Sequence, residues 1–132
     1  MVIRSVVNFG NHDQPDINTP SGIDLAGADL RARDLSGLDL RQARLVGVNL
    51  SGASLFGISV AGSDMREANL TGADLRGADL SYTDLRGADL TGADFTGVDL
   101  TEAYHDVDTK GVPVEMLGQM TPATRLKGYQ AQ

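Results

Sequence analysis

A five-residue beat runs without insertion through residues 21–100. Cut into units it reads SGIDL AGADL RARDL SGLDL RQARL VGVNL SGASL FGISV AGSDM REANL TGADL RGADL SYTDL RGADL TGADF TGVDL, sixteen in a row. A helical period of 3.6 cannot hold a five-residue pattern on one face. A long flat strand fails as well, because five is odd and the pleat would turn each successive unit to the opposite side. What remains is a short strand that turns once per unit. Such a unit buries its apolar residue only by stacking on copies of itself.

The last residue of each unit is its centre. The centres are Leu25, Leu30, Leu35, Leu40, Leu45, Leu50, Leu55, Val60, Met65, Leu70, Leu75, Leu80, Leu85, Leu90, Phe95 and Leu100. Two residues earlier stands a mostly small side chain, alanine at 28, 43, 53, 68, 73, 78, 88 and 93. Residues two apart on a strand share a pleat face, so both point inward and the residue between them points out. That outward residue is Asp in eleven units and Asn in two, Asn49 and Asn69. Two residues after the centre comes Gly in eleven units, where the chain must turn. Each buried centre contributes roughly 1.5–3 kcal/mol, most of it offset by the entropy of ordering the chain.

The units AGADL, TGADL and RGADL resemble the pentapeptide-repeat proteins, whose motif is A(D/N)LXX, over about 80 of the 132 residues. The resemblance implies an all-β, right-handed quadrilateral parallel β-helix with four units per coil, hence about four coils. At a spacing of about 4.8 Å the stack would be on the order of 20 Å tall. The sequence adds its own support for a fourfold coil. Non-glycine turns at Gln42, Tyr82 and Glu102 fall on one 20-residue register, as do the large inward residues Leu38, Ile58 and Val98 with Ala78. The expected organisation is an N-terminal strand and loop cap over 1–20, the β-helix over 21–105, and a C-terminal cap of short helical turns over 106–132. Both ends of a stacked sheet need covering, since they carry unpaired backbone and apolar centres. Pro113 is expected to open one short helix, and Thr121-Pro122 to act as N-cap and first-turn proline of a second turn. Met116, Leu117 and Met120 are expected to cover the last coil rather than form a dimer seam.

Four residues depart from the pattern. Arg33 occupies an inward position and should reach solvent or a partner near the open N-terminal end, because a buried unpaired guanidinium is costly. Arg44 replaces an outward Asp and, in a fourfold coil, should stack between Asp24 and Asp64. Ser63 and Thr83 point inward and need hydrogen-bond partners.

Aromatics make up only 5% of the chain, so the core must be aliphatic. There is no cysteine, which rules out disulfides and cysteine metal sites and fits a reducing compartment. No apolar run approaches the roughly 18 residues of a membrane span. The segment MVIRSVVNF is too short and interrupted for a signal peptide. These features lead to an expected cytoplasmic location. The net charge of −7 is uneven: residues 21–60 balance four aspartates with four arginines, whereas 61–108 hold eleven acids and three arginines. Phosphates would be repelled, so direct nucleic-acid binding is excluded and basic protein partners stay open.

No catalytic constellation is present. His12 and His105 are isolated, there is no HExxH, GxSxG or phosphate loop, and the glycines recur as turns. The calcium-binding β-helix motif has a different period and paired glycines. No cofactor or metal is expected, and the chain reads as a non-enzymatic, protein-binding or structural scaffold, a monomer or an end-to-end homodimer. Ser51, Thr71 and Thr91 form a single hydroxyl column, thin ground for an ice-ordering surface.

The aspartate ladder has two readings. Locally, Asp beside a turn accepts backbone hydrogen bonds. Alternatively, members of the resembled family that protect bacterial type II topoisomerases from quinolones are acidic rods occupying the DNA site, and such DNA mimicry is the second function considered. Duplex DNA carries one charge per roughly 1.7 Å, about seven over the roughly 12 Å that residues 61–108 would span, comparable with their net −8. A structural subunit of a larger assembly is the third. The candidate partner surface comprises Phe56, Arg76, Asp79, Tyr82, Asp89, Asp99 and Glu102. Phe56 either stacks under Arg76 or anchors a partner, and Tyr82 stands at a turn amid acids suited to a basic partner.

Overall fold

A computed structural model describes residues 23–125, so the expected cap at 1–20 lies outside the described residues, as does 126–132. The backbone coils with a repeat of 20 residues. Asp24 pairs in parallel with Arg44, Arg44 with Asp64, and Asp64 with Asp84, and the same spacing joins the corresponding residues of every other unit. The centre's N–H donates forward, as Leu25 N to Arg44 O at 2.8 Å, and the preceding residue's N–H donates back, as Arg44 N to Ile23 O at 2.8 Å. Four units therefore close one coil with four faces. The first face carries centres Leu25, Leu45, Met65 and Leu85. The second carries Leu30, Leu50, Leu70 and Leu90, the third Leu35, Leu55, Leu75 and Phe95, and the fourth Leu40, Val60, Leu80 and Leu100.

All sixteen centres are buried, from Leu70, Leu80, Leu85, Leu90 and Leu100 at 0% exposure to Phe95 at 9%. The inward residue beside each centre is buried through the middle coils, including Val48, Ile58 and Ala88. Leu38, Ile58, Ala78 and Val98 share the fourth face. In the first coil the inward positions open: Ile23, Ala28 and Leu38 are only partly buried, and Arg33 is exposed.

All sixteen turn positions have positive φ. Eleven are glycine, and the others are Ala32, Gln42, Glu67, Tyr82 and Glu102 at φ 56–61°. The left-handed region costs a side-chain-bearing residue about 1–2 kcal/mol. Three of the five, Gln42, Tyr82 and Glu102, stand at the corner between the fourth and first faces, and this corner also holds the inward hydroxyls. Ser63 Oγ accepts from Ala43 N at 3.1 Å and donates to Leu40 O at 2.9 Å. At other corners those two backbone groups bond each other directly, as Val48 N does to Leu45 O at 3.1 Å. The Ser63 hydroxyl thus sits between the donor and acceptor of the turn at Gln42. Thr83 Oγ1 donates to Val60 O at 3.2 Å.

The ladder continues past residue 105, where the five-residue frame is lost. Tyr104 pairs with Asp84, and a unit one residue longer brings Lys110 opposite Asp89. The extra residue is absorbed in a turn where Thr109 Oγ1 donates to Leu85 O at 2.8 Å and Asp106 Oδ1 accepts from Gly87 N at 3.1 Å. A 3-10 helix follows over Val114–Gln119 with Pro113 as its N-cap. Gln119 then stands in for a further strand. Its backbone oxygen accepts from Glu102 N at 2.8 Å and its side-chain Oε1 accepts from Leu100 N at 3.1 Å. Thr121–Pro122 corrects the sequence expectation: it is an extended pair running parallel to Tyr104–His105, and the next 3-10 turn starts at Ala123. The Thr121 N–H is drawn to Ala103 O at 2.7 Å and its hydroxyl to Glu102 Oε1 at 2.7 Å, so neither caps a helix. Met120 is buried and Met116 packs partly against the core, but Leu117, expected to help cover the last coil, stays at the surface with Val114 because it falls on the outer side of the short helix.

Gly111, which the five-residue pattern does not mark, carries the tightest backbone contact. A Cβ there would lie 2.4 Å from Leu90 C and Thr91 N, and φ is +87°. At Gly52 (φ +69°) a Cβ would meet nothing within 4 Å. Gly111→Ala should therefore destabilise the chain by about 3 kcal/mol or more in urea titrations followed by circular dichroism. Gly52→Ala should cost only the left-handed penalty of about 1–2 kcal/mol. Equal costs would contradict the close approach.

Candidate protein-binding face

Each outward carboxylate is first a local device. Asp24 Oδ1 accepts the N–H of Ala26 at 3.0 Å, and the same bond to the residue two ahead recurs at Asp34, Asp64, Asp79, Asp89 and Asp99. Asn does the same work: Asn69 Oδ1 accepts from Thr71 N at 3.0 Å. This favours the local reading of the ladder, because every unit must turn and an Asx-type bond satisfies the turn's N–H. Where Arg follows the centre, it binds the same carboxylate through Nε and Nη2, as Arg31 with Asp29, Arg41 with Asp39, Arg66 with Asp64, Arg76 with Asp74 and Arg86 with Asp84. Arg44 reaches Asp24 at 3.2 Å from its place in the column between Asp24 and Asp64.

The coil decides which candidate residues meet. Phe56 and Arg76 lie in the turn between the third and fourth faces, and Tyr82 and Glu102 in the turn between the fourth and first. Asp79 and Asp99 project from the fourth face itself. Six of the seven candidates therefore frame one face, a grouping invisible without the 20-residue closure. Asp89 is the exception, placed on the opposite, second face beside Lys110. Phe56 is 52% exposed and Tyr82 60%. The Arg76 guanidinium sits 5.3 Å from the Phe56 ring centroid, so stacking and partial exposure coexist there. Glu102 is tied to Thr121.

Among the described residues no group of three His, Cys, Asp or Glu side chains is placed to hold a metal ion. A narrow cavity along the axis is lined by apolar side chains such as Leu30, Leu45, Met65 and Leu80. Among the described residues no helix is long and apolar enough to cross a membrane.

The family model for pentapeptide repeats matches in eight copies, over residues 23–60, 53–92 and 68–104. The chain belongs to the pentapeptide-repeat family and is a right-handed quadrilateral β-helix, a repeat scaffold. The crystal structure of the pentapeptide repeat protein Rfr23 from the cyanobacterium Cyanothece 51142 is similar at 34% identity, covering 79% of this chain and 70% of that one, with a TM-score of 0.61. A pentapeptide repeat protein of the Arabidopsis thaliana thylakoid lumen is 27% identical, covering 80% and 82%, with a TM-score of 0.47. QnrB1, a plasmid-mediated fluoroquinolone resistance protein, is 19% identical, covering 72% of each chain, with a TM-score of 0.31. No curated protein sequence matches.

Local bonding lowers several carboxylate pKa values. In Asp39, Asp64 and Asp74 the first cause is the hydrogen bond from the neighbouring arginine, and in Asp89, Asp94 and Asp99 the bond from the neighbouring threonine hydroxyl. A folded pKa below the unfolded one gives stabilisation that is complete above the unfolded value, about 3.9, and is lost as pH falls through the folded value. The melting temperature should therefore be nearly flat from about pH 8 to 5 and fall below about pH 4. The acid loss should be smaller in Asp64→Asn/Asp74→Asn; an unchanged acid slope in that variant would contradict the assignment.

Proposed function

We propose that this chain is a non-enzymatic cytoplasmic scaffold that binds another protein through its fourth face. The observation that carries the reading is the pair of exposed aromatics, Phe56 and Tyr82, at the two edges of that face and one coil apart. Tyr82 stands where the pattern calls for glycine, at φ 58°. Exposed aromatic rings on a rigid surface are the side chains that most often anchor protein interfaces. A rigid stack also holds them with little ordering cost on binding.

Mimicry of duplex DNA draws on the same acids but is supported less well. The carboxylates of residues 61–108 are spread over all four faces, and Asp64, Asp74 and Asp84 are each gripped by an arginine.

Affinity capture from a cell extract, comparing the unaltered chain with Phe56→Ser and Tyr82→Gly, tests the proposal. Tyr82→Gly puts the favoured residue at a left-handed turn and should raise stability by about 1 kcal/mol, so lost binding would not reflect unfolding. A partner retained by the unaltered chain and lost by both variants is expected. Undiminished capture by both would overturn the assignment of the face. Salt-sensitive inhibition of purified bacterial gyrase, abolished by Asp79→Asn/Asp89→Asn/Asp99→Asn, would replace it with mimicry.

A further inference from the structure

Carboxylates stack directly on one another at three places in the ladders: Asp64 on Asp84, Asp74 on Asp94, and Asp79 on Asp99. Like charges opposite each other across adjacent strands are destabilising. Two of the three pairs carry their own cations. Arg66 and Arg86 hold Asp64 and Asp84 at 2.7 and 2.6 Å, with Arg66 Nε also 4.0 Å from Asp84. Arg76 holds Asp74 at 2.7 Å, and its charge reaches Asp94 as well.

The third pair, on the fourth face, has Ser81 and Thr101 where the first pair has Arg66 and Arg86 and the second has Arg76 and Thr96. Asp79 accepts from Ser81 N and Oγ at 2.9 and 2.6 Å, and Asp99 from Thr101 N at 2.9 Å. All three bonds come from neutral donors. The fourth face's own arginine among the described residues, Arg41, is bound by Asp39 at 2.7 Å, two coils away, and acts on Asp79 only through its longer-range charge. The stacked pair with no arginine bonded to it among the described residues thus lies on the face that the exposed rings of Phe56 and Tyr82 bound.

We propose that the occupant of the fourth face is an arginine-bearing basic segment of a partner protein, its guanidinium set between Asp79 and Asp99 and stacked on Tyr82. This rests on the scaffold reading above and adds the partner's chemistry. Charge complementarity selects the sign. The coil spacing of about 4.8 Å selects the group, since a planar guanidinium presents forked donors that one ammonium cannot match. Arg44 shows that a guanidinium can bind an outward aspartate of the neighbouring coil, reaching Asp24 at 3.2 Å. A calcium ion would want six to eight oxygens and is a poor fit to two carboxylates already engaged by their turns.

The test is titration of the isotope-labelled full chain with a hexapeptide alternating arginine and alanine, read by amide chemical shifts. Shifts should concentrate at Asp79–Tyr82 and Asp99–Glu102. Asp79→Asn/Asp99→Asn should weaken binding by about tenfold or more. Asn keeps the turn bond, as Asn69 does, so this variant should fold normally. Asp89→Asn/Asp94→Asn, on the second and third faces, should leave binding unchanged, and a lysine peptide should bind more weakly. Shifts spread over all four faces, equal losses in the two double variants, or no binding would overturn the proposal. If Phe56→Ser and Tyr82→Gly still abolish capture of a natural partner, the scaffold reading stands and only the basic segment falls.

Discussion

Stacking of each coil on the next is the constraint on which everything else depends. One five-residue unit has a single large apolar side chain and too little backbone pairing to stand alone. Repetition at 20 residues gives every centre of the two middle coils an apolar neighbour above and below. It also puts both ladder hydrogen bonds of each unit within reach, one forward and one back, as Leu45 N to Asp64 O at 2.8 Å and Arg44 N to Ile23 O at 2.8 Å. Small residues beside the centres let the walls approach, and the left-handed turns set the corners. Ser63 shows how tightly these parts are coupled: a hydroxyl from one coil completes the turn of the coil before it.

The same geometry divides the chain's charge into two kinds. Most aspartates serve the turn that follows them, and many are then neutralised by an arginine two residues on. The acidity of the C-terminal half is therefore less concentrated than its composition suggests. What distinguishes the fourth face is a directly stacked pair of aspartates followed only by Ser81 and Thr101, together with aromatic rings at both of its corners. Function in such a scaffold resides in the exceptions to the repeat, because the regular positions are occupied with holding the coil together.

The five-residue beat made most of this legible in the sequence. Centres, inward alanines, outward acids and turn residues could all be named from spacing, and Arg33, Arg44, Ser63 and Thr83 stood out because each broke a specific rule. Ala32 and Glu67 also occupy left-handed turns, on two different corners, and share no register that would have drawn notice. The end of the stack was harder to read, because there the chain is held by single substitutions rather than by a pattern. Lys110 joins the ladder only after a one-residue insertion, Gln119 supplies a strand's acceptors with one backbone and one side-chain oxygen, and Thr121-Pro122 resembles a helix start yet is held extended by Ala103 O. The grouping of Phe56 with Tyr82, and the separation of Asp89 from Asp79 and Asp99, needed the coil to be closed in three dimensions.

Amide hydrogen exchange of the folded chain tests the stacked coil most directly. The account predicts slow exchange at the centres and turn positions from Leu45 to Leu85, on all four faces alike. It also predicts a five-residue rhythm in which the N–H just after each centre, bonded to a side-chain oxygen or to solvent, exchanges faster than its neighbours. Protection confined to one or two faces, or lacking that rhythm, would contradict a closed coil of four units.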